Sequence, residues 1–471
     1  MKKIMSWVFV ATLVCGTSVF TSCSKDDDNS GQQTQQERTK FVEHVREATK
    51  NLAENLNFTS WQTANTYDLY FNRYVLNNPE FEKSVLYAFA QEVLNTMTPV
   101  EEGSELAEAG FQYYATVDMT NFKYRFTMND DNSGFGVEPA DNFEIILNGY
   151  NPRTEQTEKG MYKVTMKTKG TTMTRVLPMP KMDGVAMKLV LDSDFEFAIS
   201  SRISDTEWND DFTGIMHYQV PDGATDASQG FKADAVINSN ILAGTVGDKA
   251  DNTKLELSIS SDRVNGHAEG QVAWTQNGNK IMDLSVKESG NNLGAFYKLD
   301  LKQFDSGVSI FDVFASILDS RSIDEAKLTL LDDLTTTFSI SDLGKLLKIE
   351  SIYRTDGRNY ADKETIDAYT KQMNELVTAK IECKGTGQTL PMCLVTAPVG
   401  IDYWAVYGFK FNEEEGYVSL IDLLDRKTVG YMINIMDHSV DHVQQSVIVG
   451  RQLINYIMSL NNLASMVTVE S

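Results

Sequence analysis

Gln271-Val272-Ala273-Trp274-Thr275-Gln276-Asn277-Gly278-Asn279-Lys280-Ile281-Met282-Asp283-Leu284-Ser285-Val286 is two runs of alternating apolar and polar residues around an Asn/Gly turn. A period of two marks half-buried β-strands, and Asn and Gly supply the left-handed residues that a tight hairpin needs. Burial then specifies the register. With a regular two-residue loop at Asn277-Gly278, Trp274 faces Ile281, but Val272 meets Asp283 and Gly270 meets Ser285. With a three-residue loop, Trp274 faces Met282, Val272 faces Leu284 and Gly270 faces Val286, a continuous apolar face. Because a one-residue slip turns side chains to the opposite face, the three-residue loop is expected.

The same period recurs upstream. Phe122, Tyr124, Phe126 and Met128 alternate with Lys123, Arg125 and Thr127; Tyr162, Val164 and Met166 with Lys163, Thr165 and Lys167. Phe195, Phe197 and Ile199 alternate with Glu196, Ala198 and Ser200; Leu255, Leu257 and Ile259 with Glu256, Ser258 and Ser260. About ten such strands fit between Gly110 and Leu301. Asn/Asp/Gly turns join them, so chain neighbours should pair antiparallel, one face on a core and the other in water. So many strands exceed one flat sheet, and strong twist, curling or division into two layers is expected. Lys163, Lys167, Lys169 and Arg175 read as the solvated face. Asp130-Asp131-Asn132-Ser133-Gly134 reads as a hairpin turn, since Phe135 stands where a helix–loop–helix calcium site requires glycine.

On either side of this β region, 110–303, the period changes. Over 38–109, Phe41, Val45, Ala48 and Leu52 form one stripe with Glu43, Arg46, Glu47 and Lys50 opposite, which predicts a helix from Thr39. A second helix is expected around Ala64 to Val75. Asn77-Asn78-Pro79 supplies a cap and a first-turn proline for a third, with Phe81, Val85, Phe89 and Val93 inward. Trp61, Tyr67, Tyr70, Phe71 and Tyr74 sit at near-helical spacing and read as a packed helical core rather than a ligand box. Over 304–471 the elements mix: a helix at 308–318, a strand at 327–331, and an amphipathic helix from Ala361 to Ala379. Strands are expected around 391–396, 402–411 and 428–436, and a terminal helix from Ser439 to Leu460. The fold class is therefore α+β: a helical N-terminal region, a large twisted, mainly antiparallel sheet, and a mixed C-terminal part ending in a helix.

Met1-Lys2-Lys3 precedes an apolar run from Ile4 to Phe20, then Thr21-Ser22-Cys23-Ser24-Lys25-Asp26-Asp27-Asp28-Asn29-Ser30. A positive start, an apolar core and a small residue before the cut form an export signal, too short and wrongly flanked for a stable span. The stretch resembles a bacterial lipoprotein signal, with Phe20 where leucine is commonest; Cys15 fits less well because bulky Val14 precedes it. The resemblance implies removal of residues 1–22, acylation of Cys23 and a lipid anchor in the outer membrane. The polar, acidic run resembles the export signal of Bacteroidota surface lipoproteins, which implies display at the cell surface directed by Lys25, Asp26, Asp27 and Asp28. Residues 24–36 carry no large apolar side chain, so 23–37 reads as a flexible tether. The helical N-terminal part departs from tandem immunoglobulin-like glycan-binding lipoproteins, and the strand content from helical-repeat ones.

The composition, 42% apolar and 23% charged, is that of a globular protein able to bury large cores. The net charge of −24 becomes −26 without Lys2 and Lys3, and no Lys/Arg cluster offsets it, which argues against nucleic acid as a partner. No cofactor is expected. With Cys23 acylated, Cys383 and Cys393 remain, flanking a loop with two glycines; outside the reducing cytoplasm they form either a disulfide or two buried thiols. His438 and His442, at i and i+4 beside Asp437 and Asp441, are a weak metal candidate, the start of the terminal helix being the plainer reading. Between strands ending near Ile203 and starting near Phe212, Trp208 stands among Asp205, Glu207, Asp210 and Asp211. An aromatic face beside carboxylates suits a sugar, several carboxylates suit calcium, and a solvated turn with its Trp folded onto the sheet suits the same residues. GxSxG, HExxH, GxxxxGK[ST] and GxGxxG are absent from the sequence. A glycosidase needs only two converging carboxylates, and 66 acidic residues single out no pair. The expectation is a non-catalytic binding or scaffolding lipoprotein, of glycan or of another surface protein. The alternatives are a polysaccharide-acting hydrolase and a carrier of an apolar ligand in a curled sheet.

Overall fold

The alternating runs are strands and the fold is α+β, dominated by antiparallel pairing. The structure is a computed structural model, and it describes residues 31–56, 75, 78–118, 122–151, 155–178, 183–204, 208–219, 230–241, 251–290, 318, 320–355, 362–399, 401–412, 416–425, 427–432 and 434–435. In chain order the elements are α1 (Gly31–Asn55), α2 (Pro79–Thr96), β1 (Thr98–Pro99), α3 (Glu105–Glu108), β2 (Tyr113–Asp118), β3 (Tyr124–Met128), β4 (Phe135–Pro139), β5 (Phe143–Asn151) and β6 (Gln156–Pro178). Then come β7 (Val185–Ser204), β8 (Trp208–Gln219), β9 (Gly230–Ile241), β10 (Asp251–Asp262), β11 (His267–Gln276), β12 (Asn279–Gly290), β13 (Arg321–Leu330) and β14 (Leu334–Ile340). The last are α4 (Leu343–Thr355), α5 (Lys363–Leu376), β15 (Val377–Cys383), β16 (Gln388–Val399), β17 (Asp402–Lys410), β18 (Tyr417–Ser419) and α6 (Leu420–Leu423). Among the described residues, no helix is long and apolar enough to cross a membrane. Two compact units result. One gathers the described residues within Met1–Leu56, Val220–Ala233 and Leu255–Gln444, the other those within Asn57–Gln219, Asp234–Lys254 and Gln445–Ser471.

In the second of these units, β5 pairs antiparallel with β6, and β6 with β7. The far edge of the long β7 is shared: Val185–Val190 run parallel to β2, and Asp194–Ser204 pair antiparallel with β8. With β3 parallel to β5, this gives two parallel pairs that chain-neighbour pairing did not foresee. Helix α2 starts where its sequence predicts. The side chain of Asn78 accepts from the Glu80 amide at 3.0 Å, Pro79 fills the first turn, and Phe81, Val85, Phe89 and Val93 are buried. Phe81 packs edge-on against Phe126 and Phe135, at 5.4 and 5.0 Å between ring centres. The β3–β4 connection is the expected hairpin turn, closed by Asn129 N donating to Gly134 O at 2.9 Å. Asp131 accepts from the Ser133 hydroxyl and amide, and these bonds hold its carboxyl below the usual range. Lys163 is not simply solvated: with Arg125 it pairs with the buried Glu144, at 3.1 and 2.8 Å. Burial opposes ionisation of Glu144, but the two cations outweigh it and keep the carboxyl below its ordinary value.

In the first unit, β11 to β18 form an antiparallel meander in which each strand pairs with the next. The β11–β12 pairing sets Trp274 opposite Met282, Val272 opposite Leu284 and Gly270 opposite Val286, as burial requires. The loop, however, has two residues rather than three. Asn277 and Gly278 both take positive φ, 49° and 81°, as a type I′ turn demands, and Gln276 pairs with Asn279. The slip is absorbed by a β-bulge, Thr275 pairing with Lys280 and leaving Ile281 unpaired. Ile281 is itself buried, and its carbonyl accepts from Leu331 N at 3.0 Å.

Along β14, Leu334, Phe338 and Ile340 share one face, and helices cover both ends of it. At one end α4 and α5 bury Leu343, Leu346, Leu347, Tyr369, Met373 and Leu376 against Ile323, Phe338 and Ile340. At the other, Phe41 and Val45 of α1 pack on Leu334, Ile381, Cys383, Leu390, Met392 and Phe409. Three expectations are corrected in this unit. Helix α1 begins at Gly31, not after a tether ending at 37: Gln, Glu and Arg between 32 and 38 are good helix formers and extend the turn that Phe41 anchors. The helix expected to reach Ala379 ends at Leu376, because Val377–Cys383 are drawn into the ladder opposite β14. Residues 427–432 are helical rather than a strand, with Asp425 capping the amide of Thr428 at 2.9 Å.

Candidate functional site

Most of the residues singled out from the sequence fall outside the described part of the chain. Cys23, Lys25, Asp26, Asp27 and Asp28, the aromatics from Trp61 to Tyr74, the helix at 308–317, the terminal helix from Ser439 and the pair His438 and His442 lie outside the described residues. So do Asp205 and Glu207. The backbones of Trp208, Asp210 and Asp211 belong to β8, not to a loop reaching Phe212: Trp208 pairs with Ser204, Asp210 with Ser201 and Asp211 with Ser200. The long edge of β7 offers ladder bonds that shorten the connection to three residues, 205–207. Cys383 and Cys393 are free thiols. Register forbids their disulfide. Cys383 faces Gln388 across β15–β16, and Cys393 lies five residues farther along, roughly 16 Å at the rise of a strand, where a disulfide needs Cα atoms within about 7 Å. Burial pushes the Cys393 thiol up to about 11, a hydrogen bond with Tyr417 opposing.

A different cluster forms where three elements of the first unit meet. Helix α1, fixed by buried Phe41 and Val45, carries His44 on the intervening turn, half-buried. The β13–β14 turn, Leu331-Asp332-Asp333, is held with φ of 62° and 55° at Leu331 and Asp332, a left-handed conformation that costs a leucine about 1–2 kcal/mol. It aims the Asp333 carboxylate at His44, whose Nε2 contacts Asp333 Oδ2. The end of β15 brings in Cys383, 1% exposed and opposite Leu334 in the ladder. Past it, Lys384 N donates to Asp333 O at 3.2 Å and Gly385 N to Asp333 Oδ1 at 2.7 Å. Gly385 lies so close under the imidazole that a Cβ there would collide with the ring. Lys384 Nζ reaches Asp332 at 3.2 Å on the exposed side.

Among the described residues, His44, Asp333 and Cys383 thus bring an imidazole nitrogen, a carboxylate oxygen and a sulfur within 4.8 Å of one another. Three such donors suit a divalent cation. Sequence reading missed them because 289 positions separate His44 from Asp333. The signals available were weak ones: an imidazole inside the apolar stripe of a helix, and Cys-Lys-Gly at a strand end. No family model matches the chain, and no curated protein or solved structure matches it either.

Proposed function

We propose that the chain is an exported lipoprotein anchored in the outer membrane through acylated Cys23, and that its body acts at the cell surface by binding or scaffolding, with glycan as the favoured ligand class. The run Ser22-Cys23-Ser24-Lys25-Asp26-Asp27-Asp28 carries the reading. What supports it further is how close that run stands to the folded body. Only residues 24–30 separate Cys23 from α1, a reach of at most about 25 Å fully extended. Through Phe41 and Val45 that helix is packed into the core, so a lipid on Cys23 holds the body beside the bilayer. Membrane fractionation of Cys23→Ser tests the anchor: the variant should leave the membrane fraction, and unchanged retention refutes it. Trp208→Ala tests the ligand class. It should lose retention on a polysaccharide matrix that holds the full chain, at unchanged thermal stability; a melting temperature several degrees lower makes Trp208 a packing residue instead.

A further inference from the structure

We propose that His44, Asp333 and Cys383 form a binding site for a zinc-class divalent cation, which staples the anchor-proximal helix α1 to the strand ends of the meander. The donor set is the first reason. Neutral imidazole, carboxylate and thiolate are the ligands zinc takes, at about 2.0–2.3 Å each, which sets tetrahedral ligand atoms roughly 3.3–3.7 Å apart. The three atoms here all lie within 4.8 Å of one another, so small side-chain rotations admit the ion. Binding forms Zn–N, Zn–O and Zn–S bonds, opens the contact between His44 and Asp333, leaves the proton of the neutral imidazole on the ring nitrogen that does not ligate, and releases the Cys383 thiol proton to solvent. Three protein ligands leave a fourth position for water.

The surroundings are arranged for this as well. Gly385 N holds Asp333 Oδ1 at 2.7 Å, which orients the carboxylate and leaves Oδ2 for the ion, the outer-sphere support that metal ligands ordinarily have. Gly385 is not in a left-handed conformation, so its backbone does not require glycine; the space taken by the His44 ring does. Cys383, buried and too far from Cys393 for a disulfide, keeps its sulfur available. The inference does not depend on the lipid anchor or on glycan binding.

The test uses the full chain, purified in detergent without a histidine tag, stripped with chelator and titrated with Zn(II) alone and with Co(II) alone. One equivalent of Zn(II) should bind, and Co(II) should give a near-ultraviolet thiolate-to-cobalt charge-transfer band. Cys383→Ser should abolish that band and weaken Zn(II) by about 100-fold or more, beyond what loss of an outer-sphere partner costs. Gly385→Ala keeps all three donors but displaces the imidazole, and should weaken Zn(II) by about tenfold or more. If Cys383→Ser does not fold, Asp333→Asn, which retains an acceptor for Gly385 N, should show the same loss of Zn(II). Absence of stoichiometric binding overturns the proposal, as does wild-type affinity in Asp333→Asn or a cobalt band that vanishes in Cys393→Ser rather than in Cys383→Ser.

Discussion

Arg321→Met should destabilise the protein in a way that depends steeply on pH. Arg321 opens β13 with its side chain 3% exposed, and its Nε lies 2.7 Å from Oε1 of Glu288 on β12, itself 22% exposed. The two attract one another by charge rather than through an aligned hydrogen bond. Burial raises the Glu288 carboxyl above its ordinary value, Arg321 pulls it back and Asp324 adds to the rise. Methionine keeps the aliphatic volume of the arginine stem and deletes the restraining charge. Removing one partner of a buried pair costs about 3–5 kcal/mol when the other must stay charged. Glu288 has an escape, since it can take up a proton. At 1.36 kcal/mol per pH unit, doing so from an unfolded value of 4.5 costs about 3 kcal/mol at pH 7 and under about 1 kcal/mol at pH 5. Because the folded pKa lies above the unfolded one, the contribution of Glu288 is fully present below 4.5 and is lost as pH rises through the folded value. Without Arg321 that loss is larger. Urea unfolding at pH 5 and pH 7, with hydrogen exchange of β12 and β13 as the local readout, should show Arg321→Met close to wild type at pH 5 and weaker at pH 7 by at most about 3 kcal/mol, less the part that the raised Glu288 already costs the wild type. Adding Glu288→Gln should restore most of the loss at pH 7. A deficit equal at both pH values, or a double variant no better than the single, refutes the reasoning.

Ile281→Ala should cost about 2–4 kcal/mol in urea unfolding, as a buried large-to-small change, whereas Gly278→Ala, with open space around it, should cost only the roughly 1 kcal/mol of a left-handed alanine. Deleting Ile281 should leave Trp274 opposite Met282 by removing the bulge, a pairing that cross-strand nuclear Overhauser contacts would reveal. Cys393 should resist alkylation at pH 8 in the native state and react on unfolding, since burial holds its thiol at about 11; mass spectrometry of the native chain should find no Cys383–Cys393 bond. Burial, with Glu92 accepting from its hydroxyl, pushes Tyr124 up to about 12. Spectrophotometric titrations of wild type and Tyr124→Phe should therefore differ by one phenol ionising near 12 rather than 10, and Glu92→Gln should lower it without bringing it fully to normal.

Period, turn chemistry and capping are local properties, and by themselves they determined the α+β class, the start of α2 at Asn78-Pro79, the hairpin at Asp130–Gly134, and which residues of β11 face which of β12. Burial alone chose that last register, because one face of a strand pair cannot alternate between apolar and polar partners. How the chain achieves it was decided elsewhere. Asn277-Gly278 keeps the two-residue turn its chemistry prefers, and the bulge at Ile281 is satisfied by Leu331 N from the next hairpin, a partner that only the folded meander supplies. Parallel contacts of β2 with β7 and of β3 with β5 likewise depend on which edges remain open once neighbours have paired. The same holds for chemistry. Cys383 and Cys393 look like partners across ten positions of sequence, yet register sends one to the turn and the other down the strand. His44, Asp333 and Cys383 belong to a helix, a turn and a strand end far apart in the chain, and they meet because Phe41 and Val45 must bury their side chains over Leu334 and Cys383.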